Sequence, residues 1–299
     1  MITKPSSSIQ NAFDDDDFQW PSNPLTEHRF VMLDTETTGL DPEKDRVIEL
    51  AMRAWRVKDE RTLAEKSKAM DERYESLFDP GCKLPPVSMA THHIIPSMLQ
   101  GAPRLEDCQS EIRRFVGDSI IIAYNADYDK SMMPCLQDKT WIDAQRLAMH
   151  VWHIGQENED GFPLTSFKQQ ELRYWLGFYE VDGDAHRADA DIQVTGLIWN
   201  KGIEILLAQG FPDDLAMFTS LMSAPIPHKT MPFGPFAGRC PEELTGEELR
   251  QCFYQDGRYY QGYEKFGVLE RLRPLIDDCI FQGEKIHRPR QKSVMKSLS

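Results

Sequence analysis

At 299 residues the chain has room for one sizeable domain and a smaller module, on the usual scale of roughly 100–200 residues per domain. Its 40% hydrophobic and 27% charged residues fit a soluble globular protein, and no stretch approaches the roughly 20 apolar residues that cross a bilayer, which excludes a membrane-spanning class. The net charge of −14 speaks against a tight, non-specific nucleic-acid coat but is compatible with an enzyme whose acidic site turns positive only when cations bind.

Residues 1–27 are polar, with an acidic run at Asp14 to Asp17, and read as a disordered tail; the charged-then-apolar layout of a secretory signal is absent. RFVMLDTE predicts a buried strand that ends on carboxylates, with TTGLDP supplying turn chemistry. RVIELAMRAWRV and YESLF predict further strands. An irregular Pro-rich segment (Asp79 to Val87) precedes helices around Met89 to Leu99 and Leu105 to Val116. SIIIAYN is a second strongly β-forming run, and DYDKSMMPCL begins a helix interrupted near Pro134. Ile142 to Trp152 reads as helical, GQENEDGFP as an exposed loop, and SFKQQELRYWLG as a helix stopped by Gly177. From Ala188 the apolar spacing predicts a long helix that ends by Gly210. Strands first, then helices mixed with more strand, predict an α/β fold with a mixed sheet flanked by helices.

Beyond Gly210 the texture changes to a Gly/Pro-rich stretch, MPFGPFAGR, and short amphipathic pieces. The expected organisation is therefore a main domain at 28–210, a small C-terminal module at 211–283, and a basic tail at 284–299. The six cysteines are scattered without a CxxC pair, which predicts a reducing compartment and a cytoplasmic protein.

Three acidic clusters stand at the ends of apolar runs. Asp34 and Glu36 alternate on a strand and so project from one face. Asp129 follows the second β run, and His186 and Asp191 open the long helix. Taken singly, each has a simpler explanation: a solvated strand edge, a helix N-cap, a loop histidine. Their order and spacing together resemble the DEDD superfamily of 3′→5′ exonucleases. The matching segments are Asp34-Thr-Glu36-Thr-Thr-Gly-Leu40, Asn125-Ala-Asp-Tyr-Asp129, and His186 five residues before Asp191. The tyrosine branch has its aromatic base four residues before the last aspartate, where this chain has Arg187, so the histidine branch is the match. VSMATHHIIPSMLQGAP, WIDAQRLAMHVW and MPFGPFAGRCPEEL are similar to segments of exodeoxyribonuclease X-type enzymes. Tyr124 and Tyr128 depart from the histidine and phenylalanine usual there, and FGPFAGR lacks the lysines of the usual C-terminal element.

The resemblance implies a ribonuclease H-like sheet and a hydrolase that releases nucleoside 5′-monophosphates from DNA 3′ ends, mainly single-stranded or frayed. It implies two divalent cations, Mg²⁺ or Mn²⁺, which suit oxygen-only ligands and when about 3.5–4 Å apart serve in-line phosphoryl displacement. Asp34 would bridge them, Glu36 and Asp191 would complete the tighter site, Asp129 would act mainly through water, and His186 would take the proton of the attacking water. Thr37 and Thr38 are expected near the terminal sugar, Leu40 against the last base, and Asn125 at the substrate or behind the ligands. Homodimers are common among such enzymes and one is compatible here; no protein partner is identified. An RNA 3′ exonuclease and a non-catalytic adaptor with the same fold are the competing readings. Asp127 and Asp189 fall off the motif positions and are expected to be solvated. His150 with His153 lack further zinc ligands, and Trp175, Trp199 and Met217 to Met222 are expected to be core.

Overall fold

The computed structural model describes residues 23–55, 72–181, 183, 185–226, 228–253 and 259–281. Most of the N-terminal tail, the end of the second predicted strand (Arg56 and Val57) and the basic C-terminal tail lie outside the described residues. The chain forms two compact units, one of residues 1–151 with 167–224, the other of 152–166 with 225–299. The sequence texture placed the change at 211, but Leu215–Ser223 belongs with the first unit, and the loop around Gly155 to Phe162 belongs with the second.

The first unit is built on a five-stranded sheet in the order β3-β2-β1-β4-β5: β1 is Phe30–Thr37, β2 Val47–Trp55, β3 Arg73–Leu77, β4 Ile120–Ala123 and β5 Trp141–Asp143. β2 runs antiparallel to its neighbours β1 and β3, whereas β1, β4 and β5 run parallel. This mixed, helix-flanked sheet is the ribonuclease H-like fold. Helices α1 (Pro86–His92), α2 (Leu105–Val116), α3 (Ala126–Met132), α4 (Ala144–Val151), α5 (Gln169–Trp175), α6 (Ala188–Ala208) and α7 (Leu215–Ser223) complete the unit. Among the described residues no helix is long and apolar enough to cross a membrane.

The two faces of β1 are read directly from its alternation. Phe30 and Met32 share a core with Ala51, Trp55, Ile192, Trp199 and Ile203, so this face carries α6. Val31 and Leu33 share the other core with Ile112, Val116 and Met132, from α2 and α3. The long helix begins and ends as predicted, with Gly210 beyond it at φ 87°. Two expectations change. Ile142 and Asp143, expected to open a helix, form a strand with Trp141, because Ile121 to Ala123 offers a parallel partner that local periodicity cannot reveal. The helix expected from Met89 to Leu99 stops at His92: His93 takes a left-handed conformation (φ 58°), and Pro96 opens a separate 3-10 turn.

The second unit contains α8 (Gly246–Cys252), α9 (Tyr260–Lys265) and α10 (Val268–Phe281). MPFGPFAGR is a packing element there. Met231 and Phe236 are buried, the Gly238 N–H closes on the Met231 carbonyl at 2.9 Å, and Phe233 stacks on Tyr263 with centroids 4.9 Å apart.

α6 meets β2 with no room to spare. A Cβ on Gly196 would lie 2.5 Å from the ring of Trp55, which is itself buried and donates from Nε1 to Asn200 Oδ1 at 2.9 Å. Gly196→Ala is therefore expected to lower stability by about 1–3 kcal/mol, despite a helix-propensity gain of about 1 kcal/mol. Denaturant unfolding checks this, and a midpoint at or above that of the wild type would show that the Trp55 ring yields freely.

Candidate active site

Because Phe30 and Met32 face α6, the same alternation carries Asp34 and Glu36 toward that helix one step further along β1. Asp191 stands in the first turn of α6. The three carboxylates thus meet, with one ligand oxygen of each within 4.8 Å of the others. Asp34 and Glu36 are half-buried and Asp191 is buried. Asp129 is not in this group. It is 2% exposed on α3, and its Oδ1 accepts from the hydroxyl of Thr35 at 2.7 Å. Thr35 points to the opposite face of β1 from its neighbours, so Asp129 approaches from the α3 side.

This crowding has an electrostatic signature. Burial and the neighbouring carboxylates Asp129, Glu36, Asp191 and Glu49 raise Asp34 well above the usual carboxylate range. Burial, then Asp191, Glu49 and Asp129, push Glu36 to about 9, with Arg187 opposing. Burial raises Asp129 to about 7 against the stabilising hydrogen bond of Thr35. Asp191 is also raised by burial, although His186, Gln170 and Arg173 all favour its ionised form. Oxygen-only donors that resist ionising together are a site for a hard divalent cation, and this donor set fits Mg²⁺ or Mn²⁺.

His186 is exposed, with φ 61°, a left-handed backbone rare for a residue with a side chain. Its charge and its backbone both favour the ionised form of Asp191. Thr37 and Thr38 are buried at the end of β1, where a bulge follows Glu36. The Thr37 hydroxyl is 2.8 Å from the Gly39 carbonyl, and the Thr38 hydroxyl donates to Asp45 Oδ1 at 2.9 Å. Leu40 projects into solvent, 83% exposed. Asn125 is exposed in a left-handed conformation (φ 65°), its N–H held by Asp143 Oδ1 at 3.0 Å.

A family model for an exonuclease family, RNase_T, matches residues 31–198, which spans every one of these groups. The chain belongs to this exonuclease family, within the DEDD superfamily. Among curated relatives, the DNA polymerase III subunit epsilon of Treponema pallidum is 32% identical over 168 residues, covering 55% of this chain and 72% of that protein. The PolC-type DNA polymerase III of Halalkalibacterium halodurans is 28% identical over 179 residues, 59% of this chain. The chain spans only 7–12% of the length of the PolC-type polymerases it matches first. Among solved structures, Exonuclease X in complex with 5′ overhanging duplex DNA is 22% identical, with a TM-score of 0.46 over 64% of this chain and 99% of that one. Escherichia coli Exonuclease I in complex with a dT13 oligonucleotide is 19% identical, with a TM-score of 0.48 over 61% and 42%.

The candidate site also holds residues that sequence reasoning passed over. Gln170 donates to Asp191 Oδ1 at 2.6 Å, and Gln169 donates to the Asp191 carbonyl at 2.8 Å and to Thr195 Oγ1 at 2.7 Å. Glu49, paired across the sheet with Glu36, grips Arg187. Asp189 is not merely solvated: it forms an ion pair with Arg53 at 2.7 Å. The departures at tyrosine are used as well. The Tyr128 hydroxyl donates to the Gly39 carbonyl at 2.9 Å and lies 2.5 Å from Thr37 Oγ1, while Tyr124 donates to the Phe167 carbonyl at 2.6 Å. His92 is buried, its Nδ1 accepting from the Ile94 N–H at 3.0 Å, and burial lowers its pKa.

The raised acids make stability depend on pH. Glu36 binds its proton more tightly folded than unfolded, so its favourable contribution is complete below its ordinary value of 4.5 and is lost as pH rises to about 9. The metal-free protein is expected to be less stable at about pH 8 than at about pH 5, by roughly 1–3 kcal/mol. Asp34→Asn should flatten that slope, and Mg²⁺ or Mn²⁺ should stabilise the wild type more than the variant. Unfolding in chelator across this range decides; a wild-type stability that climbs toward pH 8 would contradict the repulsion.

Proposed function

We propose that the chain is a 3′→5′ exodeoxyribonuclease that shortens single strands and frayed or mismatched 3′ ends, releasing nucleoside 5′-monophosphates with two Mg²⁺ or Mn²⁺ ions. The observation that carries this reading is the convergence of Asp34, Glu36 and Asp191 within 4.8 Å, with His186 near enough to favour the ionised form of Asp191. The names of the curated relatives, DNA polymerase III chains, favour DNA as the polymer.

In this reading Asp34, Glu36 and Asp191 would hold the cations and Asp129 would act from the α3 side through water. When bound, the ions supply positive charge to the attacking and leaving oxygens of the phosphodiester. His186, exposed beside the carboxylates, accepts the proton of the attacking water as the oxygen–phosphorus bond forms. The 3′-oxygen of the penultimate nucleotide departs and gains a proton from solvent. Thr37 and Thr38 present the turn that meets the terminal sugar, Leu40 offers the apolar surface for the last base, and Asn125 faces the approaching strand. The free thiols of Cys82, Cys108, Cys135, Cys240 and Cys252 accord with a cytoplasmic enzyme.

A 5′-labelled single-stranded DNA oligomer should give a ladder shortening from its 3′ end with Mg²⁺ or Mn²⁺. Asp34→Ala should abolish it, and His186→Ala should slow it by about 10²–10⁴-fold. A matched RNA degraded faster than the DNA would replace the substrate. Silence on both polymers would make a non-catalytic exonuclease-fold adaptor the better account.

A further inference from the structure

Glu49 carries no part in the motifs, yet it lies on β2 directly opposite Glu36 and is only 11% exposed at its side chain. As a fifth carboxylate it adds to the repulsion on Asp34 and Glu36. Its two oxygens are spent on the approach to α6. Oε1 accepts from Arg187 Nη2 at 2.5 Å and from Nε at 3.1 Å, and Oε2 accepts from Nε at 3.1 Å. Oε2 also accepts from the Ala188 backbone N–H at 3.0 Å, one of the orphan donors at the start of α6, where Arg187 as N-cap offers no side-chain cap. Glu49 is absent from the carboxylate group that could share an ion, as found among the described residues.

The two gripped residues immediately follow His186, whose backbone is left-handed. A conformation of that kind persists only where the surroundings impose it. Here Glu49 holds the two residues that follow it, Arg187 and Ala188. Four residues further along β2, Arg53 holds Asp189 at 2.7 Å, so one strand grips the first turn of α6 at two points. We propose that Glu49 is a positioning residue for His186: its bidentate clamp on Arg187 and Ala188 holds the imidazole at the carboxylate cluster. This rests on the general-base reading of His186 given above.

The clamp predicts a selective defect. Glu49→Ala should lower kcat by about 10–100-fold, with KM and the affinity for Mn²⁺, measured by calorimetry, each within about twofold of wild type. Glu49→Gln keeps an acceptor for the Ala188 N–H and should recover part of the loss. Arg187→Ala leaves the Glu49 side chain in place, so it tests the clamp from the other side should Glu49→Ala fold poorly. In a His186→Ala background, Glu49→Gln should cost nothing further, because a residue that acts only through His186 has nothing left to position. A second readout is independent of turnover: in metal-free protein the His186 ring resonance should shift or broaden in Glu49→Gln while that of buried His228 does not. An equal loss in the His186→Ala background, a parallel loss of Mn²⁺ affinity, or an unmoved His186 resonance would each overturn the proposal. If His186→Ala were as active as wild type while the resonance still moved, the clamp would stand and the general-base assignment would fall.

Discussion

Carboxylates that converge in a half-buried cleft repel one another, and the packing of α6 across β1 and β2 is what keeps Asp34, Glu36 and Asp191 together. That packing is apolar and extensive along the body of the helix. Trp199 is sandwiched between Phe30 and Phe218, with centroids at 5.6 and 5.1 Å, and Gly196 lets the helix descend onto Trp55. Buried aromatic contacts of this kind dominate core energetics. They hold the first turn of α6 against the strand ends although the acids there resist it, so the site is strained electrostatically and supported mechanically.

The same economy governs charge near the site. Arg187 and Arg53 form their ion pairs with Glu49 and Asp189 on the flank of the acidic cluster. The cluster is therefore left with protons or cations to relieve its repulsion, and bound cations would offset part of the overall charge of −14 at this point. The acids are further ordered by neutral donors, Thr35 on Asp129 and Gln170 on Asp191. Such donors orient oxygens without cancelling their charge.

The two tyrosine departures show how a motif tolerates change around invariant chemistry. Tyr128 uses its hydroxyl to close the turn of Thr37 and Gly39, the segment that projects Leu40. Tyr124 spends its hydroxyl on the Phe167 carbonyl, tying β4 to the approach of α5. In the second unit, the Gly/Pro-rich element without lysines is explained by packing, since Phe233 lies against Tyr263 and the ring sits where a Cβ on Gly262 would fall. Where the resembling element usually carries lysines, this chain has an aromatic cluster.

Much of this was legible in one dimension. The strand period of two placed Asp34 and Glu36 on one face, the helical period from Ala188 carried Asp191 into the first turn of a long helix, and Gly177 and Gly210 marked helix ends, because each of these follows from local backbone geometry. Local geometry could not say that Trp141 to Asp143 is a strand, since only the neighbouring β4 makes it one. Nor could it say that Glu49 stands across from Glu36, that Arg53 meets Asp189 across 136 positions of sequence, or that Thr35 holds Asp129. The identity of the acids and their elements was thus written in residue type and period, whereas the partners that hold them were decided by sheet register and helix docking, because a long-range contact depends on which surfaces bury each other and leaves no spacing in the chain to read.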